Sequence, residues 1–547
     1  MTRPAAEMDG GYVVGVDVGT GSARAAVFSA SGVLMARGEH PIDVWHPRPD
    51  HIEQSSDDIW LAATAAVRDA LRGSGATPSE VRGIGFDATC SLVAIDAAGA
   101  PVAVNSDGDD HRNVVVWMDH RAVDDAEQIN RLGHPVLASV GGRISPEMQT
   151  PKLRWLQREL PAPWARVAHW FDLPDFLTWR ATGALSRSLC STVCKWTYVG
   201  HEGRWDRSFF EQIGLGGLAD GNFSRIGNQI HAPGTAVGSG LSADAAADLG
   251  LLPGTPVGTS IIDAHAGALG VLGAPATSHL DRRLAIIAGT SACHLAVSSA
   301  PLPVPGVWGP YWSALLPGWW LAEGGISASG AAIDHIVASH PASRLLGPQP
   351  LAALEQRLDE LADGSPERLT RLAHAMHVDP SLLGNRSPLA DPTRTGALVG
   401  WSLRDDLDDL AVRYLAAVQG LAYATRHIVE AMTEAGWRFE VSAVTGGSTH
   451  SPLWLRTHAD VLGIPVVVPA EPDAVLLGAA MLGAVAGGLH SGVEDTMASM
   501  TRLGTIIEPN RASAEFHRAK YGVYRRMLRD HDNYRAAMEA ACGEDWD

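Results

Sequence analysis

Short apolar runs broken by glycine open the chain. Val13-Val-Gly-Val16 leads into Asp17-Val-Gly-Thr-Gly21, then Ala25-Ala-Val-Phe28, and Ser31-Gly32 sets off Val33-Leu-Met-Ala36. Four-residue apolar runs bounded by glycine turns predict a β-meander. Residues 56–72 then carry apolar positions at helical spacing, and Val81-Arg-Gly-Ile-Gly-Phe86 returns to strand. A strand-rich opening followed by alternating helices and strands predicts an α/β domain.

Half a chain later the opening recurs. Leu284-Ala-Ile-Ile287 runs into Ala288-Gly-Thr-Ser291 and Cys293-His-Leu-Ala-Val297. Two such hairpins predict two related domains facing one another. A third landmark joins Val441-Ser-Ala-Val444, Thr445-Gly-Gly-Ser448, Ser451 to Asp460 and Gly463-Ile-Pro-Val-Val-Val468. It predicts strand, glycine turn, helix and strand, with Ser451 as N-cap and Pro452 in the first turn. Ala474 to Ala486 is a helix rich in Ala and Gly, able to pack closely on its neighbours. Residues 338–380 read as a helical insert with polar links, and about 511–541 as a charged helix without a catalytic signature.

Length changes this picture little: 547 residues exceed one compact core and agree with two large domains. Charge narrows the partners. The formal net charge of −19, from 61 acidic and 42 basic side chains, repels nucleic acid and anionic membrane, so neither is an expected partner. A phosphate-bearing ligand then needs local devices: backbone amides, helix N-termini and a bound cation. Cys90, Cys190, Cys194, Cys293 and Cys542 are few, odd in number and scattered, which predicts a reducing compartment without disulfides. Cys190 and Cys194 stand four apart with no histidine at finger spacing, so the spacing predicts no zinc site. Residues Met1 to Gly10 carry no secretory signal, and no stretch approaches the roughly 20 apolar residues of a membrane helix. The expected location is cytoplasmic.

Several motifs have the chemistry to hold a phosphate chain. Asp17-Val-Gly-Thr-Gly-Ser22 puts a carboxylate at a strand end beside a glycine turn, where backbone amides approach phosphate oxygens, Thr20 or Ser22 adds a hydroxyl and Asp17 holds magnesium. A plain hairpin whose aspartate satisfies its own turn amides explains the same residues. No Gly-Lys-Ser/Thr follows, so this is not a Walker loop. Ala288-Gly-Thr-Ser291 is the matching turn, and Thr445-Gly-Gly-Ser448 ahead of a helix could admit a nucleoside. A generic turn accounts for each as well. Asp263, after Val257-Gly-Thr259 and before small residues, could project into a cleft and accept a hydroxyl proton during phosphoryl transfer. It could equally cap the following helix, and His265 reads as a packed or hydrogen-bonded residue rather than a metal ligand. Polar–aromatic clusters around Thr89, Trp117, Lys195, Trp308 and Glu323 suit a sugar, though the 17 tryptophans serve equally as core anchors.

Taken together and in order, Asp17-Val-Gly-Thr20, Trp117-Met-Asp-His-Arg121, Lys152-Leu-Arg-Trp-Leu156, Asp263-Ala-His265, Gly289-Thr-Ser291, Glu323-Gly-Gly325 and Gly446-Gly447 resemble the FGGY carbohydrate kinases over about residues 12–540. Thr89-Cys-Ser-Leu-Val93, Phe171-Asp-Leu-Pro-Asp-Phe176, Cys194-Lys-Trp-Thr-Tyr198 and Gly384 to Asp391 are most similar to the D-ribulokinase branch. The resemblance implies an α/β protein of two actin-like, ribonuclease H-like domains around a central cleft. A sugar-side domain would span 11–275 and a nucleotide-side domain 276–547. It further implies ATP as cosubstrate, magnesium held at Asp17 and Asp263, and Asp263 as the catalytic base. Implied ketose contacts are Thr89, Cys90, Ser91, Asp119, Lys195, Asp263 and Glu323. Implied nucleotide contacts are Thr20, Arg24, Gly289, Thr290, Ser291, Gly446, Gly447, Ser448 and Ser451. Family members are often dimers, which implies a homodimer here. Ser448 and Ser451 stand where the family often has Leu and Asn, and Ile326 where it often has Gln.

The expected activity is phosphorylation of D-ribulose to D-ribulose 5-phosphate. L-ribulose, xylulose or a related polyol is the alternative within the same chemistry. A non-catalytic actin-like nucleotide-binding module is the alternative of another class. A Rossmann oxidoreductase fares poorly, because a second strand, not a helix, follows the first glycine turn.

Overall fold

The structure, a computed structural model, describes residues 10–274 and 279–542. The predicted opening meander forms as β1 (Tyr12–Val18), β2 (Ser22–Ser29) and β3 (Leu34–Pro41), paired antiparallel in sequence. All seven residues of β1 are buried, because helices cover both faces of the sheet it centres. Helix α1 (Ser56–Ser74) starts where the Ser55 side chain accepts the Asp58 amide and ends at Gly75 in the left-handed region. The chain then adds β4 (Val81–Ala88) parallel to β1. After helix α2 (Leu189–Lys195) it adds β5 (Ile261–Ile262) parallel to β4 and runs straight into α3 (Asp263–Leu272). The first sheet therefore has the order β3-β2-β1-β4-β5.

The second half repeats this plan. β6 (Arg283–Ala288) and β7 (Ala292–Ser298) form the second hairpin. A Trp-rich pair, β8 (Trp308–Trp312) and β9 (Trp320–Ile326), continues it antiparallel. Beyond the long helix α4 (Leu407–Glu434), β10 (Val441–Thr445) joins β6 in parallel. Helix α5 (Pro452–Leu462) then leads to β11 (Val466–Pro469), parallel to β10. The shared order, meander then two parallel strands, shows that the two hairpins head two halves of one design. The two-domain, actin-like α/β architecture is thereby established; the division expected at residue 275 falls outside the described residues.

Helix α6 (Ala474–Ala486) matches its sequence-predicted bounds and joins the halves. It belongs to the second half by sequence yet lies across β1, β4 and α3 of the first. Glycine makes this possible. A Cβ on Gly15 would stand 2.1 Å from the Leu476 carbonyl oxygen, one on Gly85 2.0 Å from that of Ala479, and one on Gly478 1.9 Å from that of Ala266. Backbone thus meets backbone along the seam. The 338–380 insert folds mainly as helices Pro350–Leu361 and Pro366–Arg371. After β12 (Leu503–Ile507), helix α7 (Ala514–Cys542) packs Tyr521 and Tyr524 against Tyr423 of α4. Among the described residues no helix is long and apolar enough to cross a membrane.

Candidate active site

The parallel strands of the first sheet end at a common edge and deliver carboxylates to it. Asp17 on β1 is the register partner of Asp87 on β4, and Asp87 is flanked on its other side by Ile261 of β5. Asp263 follows β5 directly as the first residue of α3. Carboxyl ends of parallel strands are where open α/β sheets place ligands, since helix N-termini and free amides gather there. Asp17 and Asp87 are almost wholly buried. Burial, reinforced by Asp17 and Asp263, pushes the Asp87 carboxyl well above the ordinary carboxylate range. Burial and the Asp17 charge push Asp263 up to about 6, partly offset by the Ala264 amide donating to its Oδ1 at 2.7 Å.

Arg24 faces Asp17 across the β1–β2 hairpin and donates to its Oδ2. That leaves Asp17 Oδ1 and both Asp87 oxygens buried without a hydrogen-bond partner. Hard, oxygen-rich donors of this kind fit a magnesium ion bound directly or through water. Asp87 was not among the predicted site residues. Its strand position was legible, but only the β1–β4 register puts it beside Asp17.

Above this edge opens a cleft of about 850 Å³, lined by both halves. On its sugar-suited side Lys195 is buried with its Nζ 4.4 Å from the Trp308 ring centroid. Burial opposes the lysine's charge, but Cys90, Glu323 and Glu147 outweigh it and hold the ammonium protonated. Arg386 reaches into the same space. Its Nη2 lies 3.3 Å from Glu147 Oε1, and its guanidinium sits 5.3 Å from the Trp308 ring. Carboxylates, two cations and indole faces together can grip hydroxyls and stack on C–H surface.

On the other side the Thr20 turn, the Gly289-Thr290-Ser291 turn and Gly446-Gly447 converge. Trp117 Nε1 donates to Thr20 Oγ1 at 3.0 Å, fixing that hydroxyl. Gly446 has φ 97°, and a Cβ there would stand 2.5 Å from the Ala288 carbonyl oxygen, so only glycine fits. A Cβ on Gly447 would meet nothing within 4 Å, which leaves room for a flat ring against the backbone.

The cleft gathers Asp17, Thr20, Arg24, Thr89, Cys90, Lys195, Asp263, Gly289, Thr290, Ser291, Glu323, Gly446 and Gly447. It does not gather Ser91, Asp119, Ser448 or Ser451. Ser91 stands behind the lining, its Oγ accepting the Trp117 amide at 3.2 Å and bonding Thr89 Oγ1 at 3.1 Å. Asp119 is consumed by the Ile52 amide at 2.6 Å and by Arg121 at 2.7 and 2.8 Å. Ser448 lies in the turn beyond Gly447, outside the lining, its carbonyl accepting the Ser451 amide. Ser451 caps α5, accepting the Trp454 amide at 3.0 Å, and donates to Glu355. Glu147 and Arg386 were missed. Arg386 lies in the Gly384–Asp391 run, but nothing local marks its side chain as cleft-facing.

Residues 12–270 match the N-terminal domain of the FGGY family of carbohydrate kinases, and residues 284–487 its C-terminal domain. A human FGGY carbohydrate kinase domain-containing protein is 47% identical over 543 residues, 96% of this chain and 98% of that one. D-ribulokinase of Saccharomyces cerevisiae is 39% identical over 512 residues, 87% of this chain and 72% of its own length. The crystal structure of xylulose kinase from Rhodospirillum rubrum superposes with a TM-score of 0.78 at 24% identity, covering 96% of this chain and 99% of that chain.

Proposed function

The chain belongs to the FGGY family of carbohydrate kinases, and we propose that it transfers the γ-phosphoryl group of ATP to the terminal hydroxyl of a ketopentose, D-ribulose, giving ADP and D-ribulose 5-phosphate. That it is a sugar kinase follows from the family; the sugar, the nucleotide and the residue roles are our reading. One observation carries it: Asp263 shares a strand edge with Asp17 and Asp87, and that edge faces the glycine turns of the other half.

In this reading residues 11–275 hold the sugar and 276–547 the nucleotide. The sugar lies among Lys195, Glu323, Cys90 and Arg386, with its terminal hydroxyl at Asp263. The Asp263 carboxylate accepts the hydroxyl proton as the new O–P bond forms and the bond from the γ-phosphorus to the bridging oxygen breaks, so the electron pair leaves with ADP. Thr20 and Thr290 present hydroxyl and amide donors to the phosphate chain, Gly289 keeps the turn open beside them, and Arg24 adds a cation. Asp17 and Asp263, with Asp87 beside them, would hold magnesium, which spreads the charge of the transferring phosphoryl group. Closure of the halves excludes water that would otherwise accept the phosphoryl group. The 39% identity to the yeast D-ribulokinase supports D-ribulose over other ketoses.

The test is ADP release from ATP and magnesium with a panel of D- and L-ketopentoses and polyols. D-ribulose should turn over fastest. Asp263→Asn should reduce turnover by several powers of ten while nucleotide binding, read by calorimetry, survives. Preference for another sugar removes D-ribulose, and near-normal turnover in Asp263→Asn removes the assigned base. Silence on every sugar with nucleotide still bound would favour a binding module instead.

A further inference from the structure

Behind the cleft floor, two cysteines meet a histidine that lies 75 and 71 residues further along the chain. Cys190 and Cys194 share one face of α2, being four residues apart on a helix. His265 comes from the first turn of α3. All three side chains are fully buried. Their ligand atoms lie within 4.8 Å of one another. Cys194 Sγ is 3.9 Å from His265 Nε2, and Glu323 Oε2 reaches the same nitrogen at 3.6 Å. That carboxylate oxygen is buried with no hydrogen-bond partner.

Bond lengths of about 2.3 Å to sulfur and about 2.0–2.2 Å to nitrogen and oxygen make the S···N and N···O edges of a tetrahedral zinc site roughly 3.4–3.6 Å long. The two measured pairs stand within a few tenths of an ångström of such edges. We propose that Cys190, Cys194 and His265 hold one soft divalent cation of the zinc class, with the fourth position open on the side of Glu323. It is separate from the all-oxygen edge at Asp17 and Asp87. Thiolates and imidazole select a soft ion where carboxylates alone select magnesium. Two thiolates around a doubly charged ion leave no net charge to bury, which suits a site enclosed on most sides. Glu323 lines the cleft, so the ion enters from there.

The site would tie together the elements that bear the sugar-side groups. Lys195 ends α2, Asp263 begins α3 two residues before His265, and Glu323 lies on β9 of the other half. The effect on the sugar rests on the kinase reading; metal binding does not.

The experiment is a cobalt titration of the chelator-stripped chain, read by absorption. One equivalent of Co²⁺ should bind with a thiolate-to-cobalt charge-transfer band and tetrahedral visible bands, and Zn²⁺ should displace it. Cys190→Ser and Cys194→Ser should each weaken binding at least tenfold and diminish the band. Cys542→Ser, at an exposed cysteine, should change neither. No stoichiometric uptake by the folded native chain overturns the proposal, as does uptake unaltered in folded Cys190→Ser. Should the serine variants misfold, the native titration decides alone. A chain that phosphorylates sugar but takes no cobalt refutes only the metal site, and one that takes cobalt without turning over sugar refutes only the kinase reading.

Discussion

Arg386 and Glu147, 239 residues apart in the chain, meet at 3.3 Å across the cleft, one from each half of the molecule. Both are largely shielded from solvent, at 8% and 14% side-chain exposure, so their attraction is little screened. Removing either leaves the other charge buried and unmatched. Arg386→Met and Glu147→Gln should each raise the ketose KM about tenfold, equivalent to about 1.4 kcal/mol. The double variant should be no worse than the worse single. Steady-state kinetics on the four proteins gives the coupling, and additive effects would show that the two side chains act independently.

The raised titration of Asp263 sets the acid side of the pH profile. A base works only when ionised, so kcat/KM for the ketose should fall tenfold per pH unit below about 6. Magnesium favours the carboxylate, so the limb should move to lower pH as magnesium rises from limiting to saturating. For folding the sign is opposite. The folded chain holds this proton above the ordinary pKa of 3.8, so its contribution to stability is lost as pH rises through about 6. Profiles at two magnesium levels test the first point, and an unmoved limb would separate Asp263 from the cation.

Gly478→Ala drives a methyl group toward the Ala266 carbonyl, 1.9 Å away, at a place where backbone rather than a flexible side chain must yield. A loss of about 1–3 kcal/mol is expected from such overpacking. Gly522→Ala, on an exposed position of α7 with nothing within 4 Å, should instead gain up to about 1 kcal/mol from helix propensity. Thermal melts of both variants check the contrast; equal shifts would mean that the seam tolerates a side chain.

Lys520 offers a stability switch far from the cleft. It is buried, donates to the Ala373 carbonyl and Gln419, and burial pulls its pKa down to about 7 from 10.5. Between those values the unfolded chain binds the proton and the folded one does not, so this lysine favours folding progressively as pH rises from about 7 toward 10. Below pH 7 its charge must be buried at full cost. Lys520→Met should therefore gain stability relative to the native chain at pH 6.5 and lose that advantage by pH 9. Urea denaturation at the two pH values measures the difference, and a pH-independent difference would refute it.

Local rules carried the reading of the fold a long way. The hairpins at Asp17 and Gly289, the Ser451 cap and α6 all follow from glycine spacing, capping chemistry and apolar period, each confined to a few neighbouring residues. From local rules the site was legible where a functional group sits at the end of such an element, as Asp17, Asp263 and Gly446 do. Asp119 looked like a ligand among aromatic neighbours, but Arg121, two residues on, claims it. Asp87, Glu147 and Arg386 enter the cleft through strand register and the apposition of the halves, which no short window encodes. His265 joins Cys190 and Cys194 for the same reason.

The seam along α6 fixes how the two halves are joined. Interdigitated side chains lock two surfaces at discrete offsets, because shifting them demands new rotamers. Helix α6 combines both kinds of contact: main chain meets main chain at Gly478, while Leu476, Leu477, Met481 and Leu482 of the same helix are buried in the core. A joint built this way holds one register, with neither a rotamer change nor a backbone gap to take up a slip. The cleft is therefore framed from two sides, by this fixed seam beneath it and by the Arg386–Glu147 pair across it.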